Sequence, residues 1–220
     1  MYLAGLEDVE VLGVTLSREQ FELASARARE AGLDGKVRFE LKDYREVEGR
    51  FDRIVSVGMF EHVGVHHYGE FFSKINDLMD DDGLTLLHSI GHMSPPGTAG
   101  PWLRKYIFPG AYSRALSEVI EVVEQNSLWI TDLEFLRLHY AKTLALWGKR
   151  FEANRDKVEA MYDARFARMW EFYLIGAEVM FRTGSQLVFH MQLARKRDAA
   201  PIVRDYITDL QRTYQRRETE

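Results

Sequence analysis

Val9-Glu-Val-Leu-Gly-Val-Thr-Leu-Ser-Arg-Glu-Gln20 is the stretch on which the fold turns. Residues 9–14 are a short apolar run rich in β-branched side chains, the pattern of a buried strand. Ser17 followed by Gln20 is a capping-box start, which predicts a helix from residue 18. That helix should run to Ala31-Gly32, where glycine accepts a left-handed cap, with a second strand at 36–41. The alternation then repeats. Phe51 to Val57 reads as a buried strand, Tyr68 to Met79 as a helix, Asp80-Asp81-Asp82-Gly83 as a turn, and Leu84 to Ile90 as another strand. Strand and helix alternating in this way predict an α/β fold with a parallel sheet.

After Gly91 the pattern changes to the turn-rich Pro95-Pro96-Gly97-Thr98-Ala99-Gly100-Pro101, which leads into Trp102 to Phe108 and a helix near 112–125. This predicts a helical lid inserted at about 93–126. Beyond it, 128–138 and 186–195 read as strands, 140–153 and 157–182 as helices, and 202–216 as an amphipathic helix. The expected organisation is one domain over 1–196 and a helical tail over 197–220. Met1-Tyr2-Leu3-Ala4 reads as the last turn of a helix with no N-cap, so the domain is expected to begin upstream.

With 220 residues, 46% of them hydrophobic, the chain has material for one sizeable core. A net charge of -5 and a pI near 5.9 speak against a nucleic-acid partner, which would call for a basic surface. Cysteine is absent, which excludes disulfides, thiolate metal sites and cysteine nucleophiles. No apolar run reaches the roughly 18 to 20 residues that span a bilayer, and no signal pattern opens the chain. A cytoplasmic protein, at most peripheral at the inner membrane face, is expected.

Several residues stand where chemistry could occur. Thr15 and Ser17 follow the first strand, at the edge of a nucleotide-binding sheet that receives ribose and adenine, although both could merely cap the helix. Asp43 after the next strand is a ligand candidate or a turn residue. In Val57-Gly-Met-Phe-Glu-His-Val-Gly64 a strand runs straight into Glu61 and His62, at the sheet edge where ligands bind, or else into a solvated loop pair. His88, inside the apolar strand Leu86-Leu87-His88-Ser89-Ile90, is a core residue or a site residue. Tyr140, in Leu138-His-Tyr-Ala-Lys-Thr-Leu144, is a buried aromatic at a helix start or a donor.

These motifs, at 13–20, 57–64, 87–90 and 138–144, resemble those of the cyclopropane-fatty-acid-phospholipid synthase and mycolic acid cyclopropane synthase family, over roughly residues 6 to 196. The resemblance implies a class I S-adenosylmethionine-dependent methyltransferase: a Rossmann-like sheet whose last two strands form an antiparallel hairpin at one edge. It implies that Thr15, Leu16, Ser17 and Gln20 hold the cofactor's ribose and methionine portions, and that Asp43, Tyr44 and Arg45 bracket its adenine. It implies further that Glu61, His88, the backbone N–H of Ile90 and Tyr140 hold a bicarbonate ion. The family's first strand and glycine-rich loop have no counterpart before residue 9, so two ladders, those of 9–14 and 51–57, should lack a partner. Ala177 stands where the family often carries cysteine.

The implied reaction is transfer of a methylene bridge from S-adenosylmethionine to the cis double bond of an unsaturated acyl chain, with bicarbonate as base. The implied partners are an unsaturated phospholipid or fatty acyl substrate and a transient membrane surface, with a second copy of the chain as a candidate. The alternatives are a related methyltransferase with a small-molecule acceptor, or an inactive truncated homologue.

Overall fold

The computed structural model describes residues 1–218. The chain begins with α1 (Tyr2–Leu6), β1 (Val11–Thr15), α2 (Arg18–Glu30), β2 (Val37–Leu41), β3 (Phe51–Val57), α3 (Tyr68–Leu78) and β4 (Met79–His92). Next come β5 (Gly97–Thr98), α4 (Pro101–Tyr106), β6 (Tyr112–Ser113), α5 (Leu116–Gln125) and β7 (Trp129–Phe135). The last elements are α6 (His139–Glu152), α7 (Arg155–Met161), α8 (Ala164–Thr183), β8 (Gln186–Ala194) and α9 (Asp205–Arg217). They divide into two compact units, one of Met1–Arg50 with the residues from Pro201 on, the other of Phe51–Ala200.

In the first unit β1 and β2 pair in parallel, from Val11 opposite Val37 to Thr15 opposite Leu41. Ser17 accepts the Gln20 N–H and caps α2, whose Ala28 packs with Ala4 and Val37 in a small core. Gly13 is required by close approach: a Cβ there would stand 2.6 Å from the Phe39 ring, which lies across β1. Arg217 of α9 binds Glu7 (2.6 Å), and Tyr2 hydrogen-bonds Glu218, so the two ends of the chain meet.

The second unit is built on a four-stranded sheet of order β3-β4-β8-β7. β3 and β4 run parallel, whereas β8 is antiparallel to both β4 and β7. The last two strands are therefore antiparallel with β7 at the edge, as expected, but α6 to α8 intervene between them in the chain. From Gly83 to Gly91 the residues of β4 alternate strictly. Thr85, Leu87 and Ser89 are fully buried toward α3, while His88 and Ile90 point to the opposite face, where Ile90 packs with the core of α6, α8 and Val188. Phe60, Tyr68, Phe71 and Phe72 form an aromatic cluster under the first face. α5 closes that face through Leu116, Val119 and Val123.

Among the described residues β1 pairs only with β2 and β3 only with β4, so β1 and β3 each keep one open strand edge. Val55 and Val57 of β3 are accordingly more than half exposed.

Three local expectations change. Asp80–Gly83 is not a turn ahead of the strand: Phe51 already pairs with Met79 and Arg53 with Leu84, so β4 absorbs the extra residues as a bulge. The helix expected over 157–182 is broken, because Tyr162 leaves helical geometry and the Asp163 carboxylate caps a new helix by accepting the Phe166 N–H (2.6 Å). The helix expected from 112 starts at 116, since Tyr112 and Ser113 pair as β6 with β5. Among the described residues no helix is long and apolar enough to cross a membrane.

Tyr112 joins β6 to α5. Its hydroxyl donates to Glu118 Oε1 (2.6 Å), while Glu118 Oε2 accepts the Ala115 N–H (2.8 Å) at the helix start. The bond to Glu118, and after it burial, pushes the Tyr112 phenol up to about 12. The fold thus favours the protonated phenol, and this stability is fully present below the unfolded value of about 10 and lost as pH rises toward the folded one. Tyr112→Phe should lower stability by about 1.5 kcal/mol at neutral pH, the worth of a hydrogen bond to a charged group. In urea unfolding, the gap between wild type and variant should hold up to about pH 10 and narrow above it.

Candidate active site

The two halves of the expected site fall in different units. In the first, β1 ends at Thr15 beside Leu41 at the end of β2, and the Lys42 N–H reaches the Thr15 carbonyl (3.1 Å). Residues 15–20 and 43–45 therefore leave the sheet from the same C-terminal edge, the edge where ligands of parallel sheets bind. Thr15 Oγ1 donates to Gln20 Oε1 (2.8 Å) and accepts the Ser17 N–H (3.1 Å), and Ser17 Oγ donates to Glu19 (3.0 Å). The Asp43 carboxylate accepts from the Arg45 backbone N–H (2.9 Å) and from its guanidinium (2.7 and 3.0 Å). These bonds from Arg45 hold the Asp43 carboxyl below the usual range. Tyr44 opens a short 3-10 turn, and Leu16 presents its side chain to solvent, 73% exposed.

In the second unit β3 stops at Val57. Gly58, at φ +67, turns the chain out of the sheet at a conformation that costs glycine little, while its N–H still reaches the His88 carbonyl (3.2 Å). A 3-10 turn over Phe60–His62 follows, with Phe60 fully buried on the Tyr68 ring (4.4 Å) and His62 exposed. Anchored in this way, Glu61 turns back onto β4. Its Oε1 accepts the Ile90 N–H at 2.6 Å and the Ser89 hydroxyl at 2.9 Å. The Ile90 amide, expected to face an anion, is thus engaged by Glu61. The other oxygen, Oε2, is buried with no hydrogen-bond partner.

Beneath this carboxylate lies Arg114, 1% exposed. Its Nη1 donates to Ser89 Oγ (3.0 Å) and the Ile90 carbonyl (3.2 Å), and its Nε donates to the Tyr68 hydroxyl (2.8 Å). The guanidinium stacks over Phe60 at 5.0 Å and stands 3.8 Å from Glu61 Oε1. A partly buried carboxylate and a fully buried guanidinium compensate each other here.

His88 and Tyr140 complete the group. Burial pushes the His88 imidazole below its ordinary value, the neighbouring His190 adds to this, and Glu61 opposes it. Its Nδ1 is 2.8 Å from His190 Nε2, which leaves His88 Nε2 free of that bond. Tyr140 packs on Phe181 (4.9 Å), against the same core as Ile90 and Ala177. Burial first and then the Glu61 charge raise the Tyr140 phenol, so it remains a protonated donor at neutral pH. Glu61 thus acts electrostatically on both groups.

Sequence reasoning missed Arg114, Ser89 and His190. Nothing in Tyr112-Ser113-Arg114 marks an arginine as buried. His190 was legible as a strand residue, but only the register, which sets it opposite His88 and Glu134, makes it a neighbour of the site.

A family profile described as Mycolic acid cyclopropane synthetase matches residues 1–191. The chain is 37% identical over 199 residues to the tuberculostearic acid methyltransferase UfaA1 of Mycobacterium tuberculosis (strain ATCC 25618 / H37Rv), covering 88% of this chain and 47% of that one. It is 38% identical over 181 residues to the cyclopropane-fatty-acyl-phospholipid synthase of Escherichia coli (strain K12), covering 82% of this chain and 46% of that one. The chain thus spans about half the length of these curated relatives. Among solved structures, mycolic acid cyclopropane synthase CmaA1 complexed with SAH and CTAB superposes with a TM-score of 0.79 at 30% identity, over 88% of this chain and 72% of that one. With the profile matched over most of its length and relatives this similar, the chain belongs to the mycolic acid cyclopropane synthetase family.

Proposed function

We propose that the protein transfers a methylene bridge from S-adenosylmethionine to the cis double bond of an unsaturated lipid acyl chain, with bicarbonate as base. The observation that carries this reading is Glu61 Oε2, a buried acceptor without a donor, on a carboxylate whose charge acts on the His88 imidazole and the Tyr140 phenol. A buried acceptor left unpaired costs on the order of 1 to 3 kcal/mol, so the site has an unmet demand for a hydroxyl. Bicarbonate fits it: an anion that carries one hydroxyl can donate to Glu61 and accept from the Tyr140 hydroxyl and His88. Arg114, which offsets the Glu61 charge, makes an anion tolerable beside a carboxylate.

The donor set of the first unit fits the cofactor as well. The hydroxyls of Thr15 and Ser17 and the Gln20 carboxamide suit ribose, Asp43 and Arg45 offer polar groups to adenine, and the exposed Leu16 offers an apolar face. When bound, the cofactor supplies an electrophilic methyl group and bicarbonate supplies a base. The π electrons of the double bond would take the methyl group as its bond to the cofactor's sulfonium sulfur breaks and leaves that electron pair on a neutral thioether, with a cation on the second carbon. As a methyl proton departs, its C–H electron pair closes the three-membered ring. The chain's own work is to fix Glu61 through Ile90 and Ser89, to keep Tyr140 protonated, and to exclude water with the core of α6 and α8. The similarity to a tuberculostearic acid methyltransferase favours a second reading, in which the same cation loses a proton from a neighbouring chain carbon instead and ends as a methyl-branched alkene. Proton NMR of the product separates the two, since cyclopropyl methylene protons resonate upfield of methyl signals.

The test is transfer of labelled methyl from S-adenosylmethionine to vesicles of unsaturated phospholipid, with and without bicarbonate. Glu61→Gln should lower turnover by about 100-fold and Tyr140→Phe by at least about tenfold, with cofactor affinity unchanged by calorimetry. Full turnover in Glu61→Gln, or transfer to small amines alone, would overturn the reading. Arg114→Met should in addition destabilise the fold by about 3 kcal/mol in urea unfolding, because it leaves the Tyr68 and Ser89 hydroxyls and the Ile90 carbonyl without their donor and Glu61 without its counter-charge. Arg114→Lys, which keeps the charge but not the planar fork, should fall between.

A further inference from the structure

Three neighbouring strands bring a second set of titratable groups to the face that carries His88. His190 on β8 lies directly opposite His88 on β4 and directly opposite Glu134 on β7. His190 Nε2 is 2.8 Å from His88 Nδ1, and His190 Nδ1 is 3.7 Å from Glu134 Oε2. Glu134 is about half exposed, so this row runs from solvent to the site across the sheet.

The 2.8 Å bond holds a single hydrogen, and its ownership decides what His88 shows the site. With both imidazoles neutral, two hydrogens serve four ring nitrogens. The Glu134 carboxylate favours a hydrogen on His190 Nδ1, so His190 Nε2 accepts from His88 Nδ1, and His88 Nε2 is left as a bare lone pair. A lone pair repels an anion. Adding one proton to the pair repairs this: His190 Nδ1–H faces Glu134, one hydrogen lies between the rings, and His88 Nε2–H becomes a donor toward the anion. The single positive charge then sits between two negative ones.

We infer that His88 and His190 act as one unit, backed by Glu134, which takes up a proton when an oxyanion enters the site. His190 is therefore a positioning residue that acts through His88. Among the charged or titratable groups around the pair are Glu61, which acts on His88 and whose charge Arg114 offsets at 3.8 Å, Tyr140 of α6, and Asp132, opposite Gln192 two pairs along β7; the remaining ones on β4, Asp80, Asp81, Asp82 and His92, lie toward the ends of that strand. Glu134 has no such cation besides His190 among the described ion pairs, so its charge is the one that acts outward along the row. The inference rests on the bicarbonate site proposed above, but its readout does not need turnover.

The experiment is calorimetry of bicarbonate binding to the 220-residue protein at mildly alkaline pH, where bicarbonate itself neither gains nor loses a proton, in two buffers of different ionisation enthalpy. The expected result is a net uptake approaching one proton per anion, with affinity falling by up to about tenfold per pH unit. His190→Phe should abolish the uptake and weaken binding by about tenfold, the effect of one lost hydrogen bond. Glu134→Gln, at an exposed position where folding is not at stake, should reduce the uptake. Binding without proton uptake in the wild type, or uptake unchanged in both variants, overturns the inference alone. No binding at all overturns it together with the bicarbonate site. Proton-linked binding without methyl transfer to lipid upholds it and faults only the proposed reaction.

Discussion

Where β3 leaves the sheet, β4 runs on, and a strand that outlasts its neighbour exposes N–H and C=O groups that must be satisfied without a ladder. The protein meets this demand with side chains. The Gly58 N–H takes the last backbone position on the His88 carbonyl, and two residues further along β4 the Glu61 carboxylate accepts the Ile90 N–H while Arg114 donates to the Ile90 carbonyl. A carboxylate and a guanidinium thus stand in for the missing backbone of a neighbouring strand. The end of the sheet is thereby an ionic site, placed by the same alternation that builds the core.

The charge balance follows from that substitution. Burying Arg114 would be costly alone, but three acceptors, the Phe60 ring and Glu61 surround it. Tyr68 does two jobs: its ring carries Phe60, and its hydroxyl takes the Arg114 Nε–H. His88 and Tyr140 contribute no charge, since burial depresses the one and raises the other. The ion pair of Glu61 and Arg114 is therefore close to neutral as a unit, and the Tyr140 phenol beside it keeps its proton as a donor. The insertion after β4 is tied to this pair, because Arg114 follows β6 directly and the His92 imidazole bridges Ser94 Oγ (2.7 Å) and the Ser113 carbonyl (3.1 Å).

Much of this was legible in the sequence. Apolar periodicity located β1, β2, β3 and β8, because each of these strands faces the core of its own unit and its pattern records it. Reading failed where structure depends on partners distant in the chain. Asp80-Asp81-Asp82-Gly83 has the composition of a turn, yet the pairing of Phe51 with Met79 makes it a bulge. Helical periodicity runs through Tyr162, but the Asp163 side chain competes for the Phe166 N–H and starts a new helix. For the site, Glu61, His88 and Tyr140 lay in recognisable motifs. Arg114 and His190 did not, since burial of a charge and cross-strand register leave no local mark.

In the motif from Gly13 to Gln20 the fold already uses the atoms that the proposed cofactor site would call on. Gly13 is demanded by the Phe39 ring, Ser17 by the N-terminus of α2, and Thr15 by the Gln20 carboxamide and the Ser17 N–H. Each of these contacts would exist without any cofactor, so the residues alone do not discriminate a helix cap from a ribose site. Glu61 differs in kind. Its Oε1 is fully used by the fold, but Oε2 is buried and serves nothing in the chain. A polar atom that the fold neither exposes nor pairs is a cost with no structural return, and that asymmetry within one carboxylate is what the proposed bicarbonate site draws on.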